Sequence, residues 1–300
     1  MANRRNDPAK YIAPLYINHL EGRMLRIINK KNATEILFVG DLSANLEFWW
    51  GLIRALHDFG SVTAPDLPGI GGMTSFFKIG KRPTLDNYSD YLSSFVKMSY
   101  RNRRIVVVGV GFGFVAVTRM LARNPDIAAR VNLLISLGGY ADHEDFISKP
   151  YSAIGYRLLG KLFSMRMLSI ILGSTVYSRY LLKHKYMHRI SMPNSSSAKK
   201  ILAENEVQRW LSSDLRTFGA VVNQLTTFSN CGYQISLNLY HVSLGKKELN
   251  QNHIEQHLKI IFKEVIMLQQ IKKNVYSLKK DKRSAGAFLP PELKHQLRLV

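Results

Sequence analysis

Gly109, Gly111 and Gly113 stand at alternate positions in VVVGVGFGFVAV, residues 106–117. An apolar run precedes them, and FVAVTRMLAR at 114–123 has the pattern of a helix. A strand, a glycine turn and a helix can together cradle a pyrophosphate on the free N–H groups of the helix. That chemistry needs G-x-G-x-x-G and an acidic residue closing the next strand. Phe114 falls where the third glycine belongs, and the next apolar run closes Ser136-Leu137-Gly138 without an acid. The spacing argues against a dinucleotide site and leaves a sharp strand-to-helix bend to explain. Other chemistry-bearing residues are sparse. His253 and His257 lie one helical turn apart in NHIEQHLK, a spacing that suits two metal ligands. No third ligand accompanies them, so a helix surface is expected there and no metal or other cofactor. Cys231 is the single cysteine, which excludes an intrachain disulfide and a cysteine-cluster metal site; it reads as a buried thiol.

The elements that must position the bend follow from hydrophobic periodicity. ILFVG at 36–40, IVVVG at 105–109 and VNLLISL at 131–137 are continuous apolar runs, as strands buried on both faces should be. Residues 61–64 form a shorter strand, closed by Pro65-Asp66-Leu67-Pro68-Gly69. Two short apolar runs around Glu21-Gly22 predict a hairpin within 15–29. NLEFWWGLIRALHD at 45–58, with Asn45 as N-cap, predicts a helix, as do 85–98 and 114–123. Strands alternating with helices imply a mostly parallel, doubly wound sheet covered on both faces. From 140 to about 230 the pattern turns helical. Alternation resumes with ISLNLYHV at 235–242, a helix at about 252–262, EVIMLQ at 264–269, and a last helix after Pro290-Pro291.

The net charge of +21 favours anionic partners, or else belongs to a proteome that is basic throughout. No run reaches the roughly 18 apolar residues of a membrane span, and the N-terminus lacks the apolar core of a signal peptide. A cytoplasmic location is expected.

In this order, the segments ILFVGD (36–41), APDLPGIGG (64–72), VVVGVGFGFVAV (106–117) and ARNPDIAARVNLLISLGG (122–139) resemble the α/β-hydrolase superfamily in its esterase, peptidase and dehalogenase-like form. The resemblance covers 36–139 by motif and 235–300 by element order alone. It implies an α/β-hydrolase core over 1–139 and 231–300, and a helical cap over 140–230 inserted after the third parallel core strand. It also implies that the glycine segment is the G-x-S-x-G nucleophile elbow, with Gly109 and Gly113 as flanks and Gly111 where the serine should stand. Glycine accepts the strained angles of that corner, so the turn can form without its hydroxyl. In the family the catalytic histidine follows the last core strand, yet residues 270–288 contain none, and His295 reads as a surface residue. The family's acid follows the strand at 235–242, where Glu248 is the nearest carboxylate, with His241 and Ser243 at the strand exit. The two N–H groups of an oxyanion hole would come from Phe112 and from Asp41 or Leu42. An inward Asp41 carboxylate would oppose a developing oxyanion, whereas an outward one would face solvent or cap a turn.

Nucleophile and base are both missing from their expected places, so ordinary ester hydrolysis is not expected. A core/cap cleft lined by Asp41, Leu42, Gly111, Phe112 and His241 could still bind a small ligand. A hydrolase working through Asp41, Glu248 or His241 is the alternative. The cap offers a third reading. Residues 146–203 hold ten lysines and arginines and no acid, interleaved with Leu158, Leu159, Leu162, Phe163, Met167, Ile170, Ile171 and with tyrosines. Such a segment can close on the core as a lid, or bind an anionic membrane surface or nucleic acid through residues such as Lys161, Arg166 and Lys183. A basic tail at 272–283 adds a second cluster. No specific protein partner is implied.

Overall fold

A computed structural model of the chain describes residues 7–42, 44–146, 150–175, 181, 184, 207, 211–243, 249–268, 286 and 289–300. Lys183, Glu248 and the tail at 272–283 lie outside them.

The chain builds one eight-stranded sheet. Its strands are β1 (Ile12–Ile17), β2 (Leu20–Ile27), β3 (Glu35–Val39), β4 (Ser61–Pro65), β5 (Ile105–Val110), β6 (Val131–Leu137), β7 (Ile235–Val242) and β8 (Phe262–Leu268), in spatial order β1-β2-β4-β3-β5-β6-β7-β8. β1 and β2 pair antiparallel, as do β2 and β4; all other neighbours run parallel. The expected hairpin is present, but its turn is not at Glu21-Gly22. Those residues pair with Tyr16 and Leu15 inside the ladder, and the chain reverses at Asn18 (φ 52°) and His19 (φ 64°). A two-residue loop of this kind needs positive φ at both central positions, which asparagine tolerates better than most residues.

Every residue of β5 is buried, and the pleat divides them between two layers. Val107 joins Leu37, Val39, Leu134 and Leu239 beneath α2 (Leu85–Tyr100) and α3 (Phe112–Arg123). Val106 and Val108 join Ile36, Phe38 and Ile135 beneath α1 (Leu46–Leu56). Each such side chain contributes roughly 1.5–3 kcal/mol by burial, so the central strands tolerate no exchange of faces. Asn45 and Thr84 start α1 and α2 by accepting from the backbone N–H groups of Phe48 and Asn87.

α4 (Pro125–Ala128) leads into β6. The cap helices α5 (Pro150–Ser164), α6 (Arg166–Ser174) and α7 (Leu215–Leu225) lie between β6 and β7. Because β4 pairs parallel with β3, the cap departs after the fourth parallel strand in chain order, one later than the count of continuous apolar runs gave. α8 (Gln251–Ile261) and α9 (Pro291–Leu299) complete the two helical layers, and His295 is exposed on α9 as expected. Among the described residues no helix is long and apolar enough to cross a membrane.

Candidate functional site

The bend after β5 is a strand-to-helix corner. Gly111 sits at φ 52°, ψ −120°, the last residue before α3, and its N–H donates to the carbonyl of Leu137 at 3.2 Å. A side chain at this φ would be strained, and glycine is not. The flanks are steric. A Cβ on Gly109 would lie 2.6 Å from Cα of Phe114, and one on Gly113 would run into the carbonyl oxygens of Val39 and Gly40. Helix α3 therefore enters against β3 and β5 at backbone distance.

Asp41, at the end of β3, points inward. Its Oδ1 accepts from the backbone N–H of Leu42 at 2.9 Å and from that of Phe112 at 2.9 Å. These are the two donors expected to form an oxyanion hole, and one carboxylate oxygen takes both. The same Oδ1 lies 2.7 Å from where a Cβ on Gly111 would be. From Phe112 a series of aromatic rings runs into the core: Phe112 meets Tyr88 edge-on at 5.1 Å, and Tyr88 meets Phe76 edge-on at 5.1 Å. Tyr140, fully enclosed, has its phenol held well above the ordinary tyrosine value by burial and then by the Asp41 and Asp145 carboxylates.

Asp41, Leu42, Gly111 and Phe112 thus come together as the sequence implied. His241 does not join them. It lies on β7 opposite Ser136 of β6, itself opposite Gly109 of β5, so two strand spacings separate it from the bend. Its ring is fully buried, Nδ1 shares a 3.0 Å hydrogen bond with Oγ of Ser136, and Nε2 has no partner among the described residues. Burial pushes its pKa down to about 4. A neutral imidazole enclosed in the sheet cannot exchange protons with a substrate at the corner.

Two polar hubs were not visible in the sequence. Arg23 of β2 grips both oxygens of Glu47 at 2.5 and 2.7 Å and Oδ2 of Asp66 at 2.7 Å. Burial pushes the Asp66 carboxyl up to about 7, outweighing Arg23. Asp145, wholly buried, accepts from the N–H groups of Ala141 and Asp142, and its Oδ1 meets Nδ1 of His257 at 2.6 Å. His257 is therefore a clasp between α8 and the loop after β6, where a helix surface was expected. Among the described residues no group of three or more His, Cys, Asp or Glu could hold a metal ion. Cys231 is half-buried beside Ser229, and burial raises its thiol pKa.

Solved structures match along nearly the whole length. A carboxylesterase from the thaumarchaeon Nitrososphaera gargenis is 14% identical, with 96% of this chain and 100% of that one covered and a TM-score of 0.65. An enol-lactonase from Burkholderia xenovorans is 14% identical, with 88% and 93% covered and a TM-score of 0.62. A haloalkane dehalogenase from Bradyrhizobium elkani is 15% identical, with 96% and 99% covered and a TM-score of 0.59. The chain has the α/β-hydrolase fold. No protein-family model matches it, and no curated protein does. On this fold, Gly111 occupies the positive-φ corner between β5 and α3, and Asp41 accepts from the Leu42 and Phe112 N–H groups beside it.

A cavity of about 760 Å³ opens between the loop at 77–84, α5 and α7. None of Asp41, Leu42, Gly111, Phe112 or His241 lines it. Among the described residues its wall carries Arg82, Arg157, Lys161 and Arg216 and no carboxylate.

Proposed function

We propose that this chain uses the α/β-hydrolase scaffold to bind a ligand in the cleft between core and cap, without hydrolysing it. The observation that carries the reading is Asp41 Oδ1 accepting from both Leu42 and Phe112 N–H. Hydrolytic catalysis on this fold depends on those donors being free to stabilise negative charge on a substrate oxygen, an effect that falls by about 10²–10³ in rate when one donor is lost. A resident carboxylate adds repulsion to that loss. The second support is Gly111, which offers no nucleophile, and the third is the enclosed, distant His241. The cationic cleft supports the binding half of the reading.

Turnover of a panel of p-nitrophenyl esters, from acetate to laurate, tests it. The protein should release no nitrophenol above a heat-denatured control. Gly111→Ser should stay inactive and lose about 2 kcal/mol of stability, from positive φ and from contact with Asp41. Asp41→Ala/Gly111→Ser should fold better than Gly111→Ser and still be inactive, because among the described residues no imidazole is bonded at the corner to deprotonate the serine. Turnover by the unaltered protein overturns the reading.

A further inference from the structure

The outer surface of the cap is unusual for a water-facing helix. α5 crosses α7 through Gly160 and Gly219, with Phe163 packed against Gly219. The opposite side of α5 carries Ile154, Leu158 and Leu162 at intervals of four, one stripe along the helix, and they are 37–67% exposed. Met167, Ile170 and Ile171 of α6 continue the apolar surface at 55–75% exposure. A cationic row runs beside the stripe: Arg157 and Lys161, also four apart, which are at the same time part of the cleft wall.

The cleft's cations are held in place from the protein side only. Arg216 stacks on Phe77 with Cζ 3.8 Å from the ring centroid and donates Nε–H to the carbonyl of Ser164 at 3.0 Å. Arg157 donates Nε–H to Thr226 Oγ1 at 3.3 Å. Among the described residues none of Arg82, Arg157, Lys161 and Arg216 pairs with a carboxylate. Four cations converging on one cavity repel each other, and an anion placed between them removes that repulsion.

We propose that the cap docks on an anionic membrane surface. The α5–α6 apolar stripe enters the interfacial layer, and the phosphate of an anionic phospholipid sits in the cationic cleft beside it. Charge complementarity selects this occupant. A helix with an apolar stripe and an adjoining cationic row lies in the plane of a bilayer, apolar side down and cations at headgroup level. A soluble phosphate ligand would satisfy the cleft and leave the stripe in water; duplex nucleic acid would likewise leave it unused. A second copy of this chain would cover the stripe while opposing two cationic rows. The inference takes the binding cleft of the proposed function as given and does not depend on the absence of hydrolysis, so vesicle binding and ester turnover test the two readings separately.

Co-sedimentation of the full chain with phosphatidylcholine vesicles, with and without phosphatidylglycerol, is the test. Binding is expected only with phosphatidylglycerol and should weaken steeply with salt. Arg157→Gln/Lys161→Gln should cost about fivefold in partitioning for each cation removed. Leu158→Gln/Met167→Gln should abolish binding with a nearly unchanged melting temperature, because the two residues are 58% and 75% exposed and glutamine matches their helix propensity. Absence of binding to phosphatidylglycerol vesicles overturns the proposal. So does binding that survives this stripe variant, which would show that the apolar stripe takes no part. A DNA duplex bound as tightly as the vesicles overturns it, as does a dimer dissolved by the stripe variant. A stripe variant that melts much earlier, showing that the stripe is covered by the chain itself, overturns it too.

Discussion

The corner around Gly111 and the outer face of α5 use their polar and apolar groups in opposite ways. At the corner, one carboxylate oxygen satisfies two backbone donors, Phe112 leads into a packed series of three aromatic rings, and backbone touches backbone. On the cap, large apolar side chains face water and four cations share a cavity that carries no carboxylate among the described residues. The difference teaches where each region's tolerance lies. The corner is complete without any further molecule, and addition is what it cannot accept. The cap's outer face is incomplete alone, so what it lacks is informative. A catalytic site inverts this at its corner, keeping donors unsatisfied until substrate arrives.

Placing the same methyl group in the two regions breaks or sharpens the comparison most directly. Gly113→Ala puts a Cβ against the carbonyl oxygens of Val39 and Gly40, where only a backbone shift gives room. A loss of about 3 kcal/mol is expected, at the upper end of overpacking costs. Chemical denaturation checks it. A loss below the measurement error would mean that α3 is not pinned against β3 and that the corner can open.

Titration of the buried His241 on β7 has the next largest expected effect. His241 is held at about 4 in the folded chain, against 6.5 for the free side chain. The folded state keeps the ring neutral while the unfolded chain takes up a proton, so its contribution is full above pH 6.5 and is lost as pH falls towards 4. The difference corresponds to about 3 kcal/mol. Asp66, raised to about 7, acts with the other sign: its contribution is full below pH 3.8 and is lost as pH rises to about 7. The two windows overlap, so the overall stability curve does not isolate either group. The difference between the protein and His241→Leu does. That difference should shift by about 3 kcal/mol between pH 6.5 and 4, and a flat difference would mean that water or a partner reaches Nε2.

How much of this is legible in the sequence depends on the range of the signal. IVVVG and ILFVG were readable as central strands because burial on both faces leaves no polar residue in the run. The strand-to-helix bend was readable because the glycines of G-x-G-x-G keep the spacing of a sharp turn whatever fills the centre. The hairpin turn was misplaced because Glu21-Gly22 has turn-like composition, while the residues that take positive φ, Asn18 and His19, sit three positions earlier. Asp41 was ambiguous because its direction is set by the N–H of Phe112, 71 residues away. His257 was taken for surface because Asp145 is 112 residues distant. The cationic cleft was half legible. Lys161 belongs to the basic segment noted in the sequence, but Arg82 and Arg216 join it from two other segments. Local spacing reports corners and strands; convergence of charge is a tertiary fact.

The smallest expected effect is also the mirror of the largest. Gly155 lies on α5 with nothing within 4 Å of the position a Cβ would take, and its φ is not in the left-handed region. Alanine there removes the entropic cost of a helical glycine and adds no contact. Gly155→Ala should therefore stabilise the chain by up to about 1 kcal/mol. A thermal melt compared with Gly113→Ala reads both signs in one experiment. If Gly155→Ala instead destabilises, something lies against that side of α5, and the contrast between a closed corner and an open cap fails at the cap.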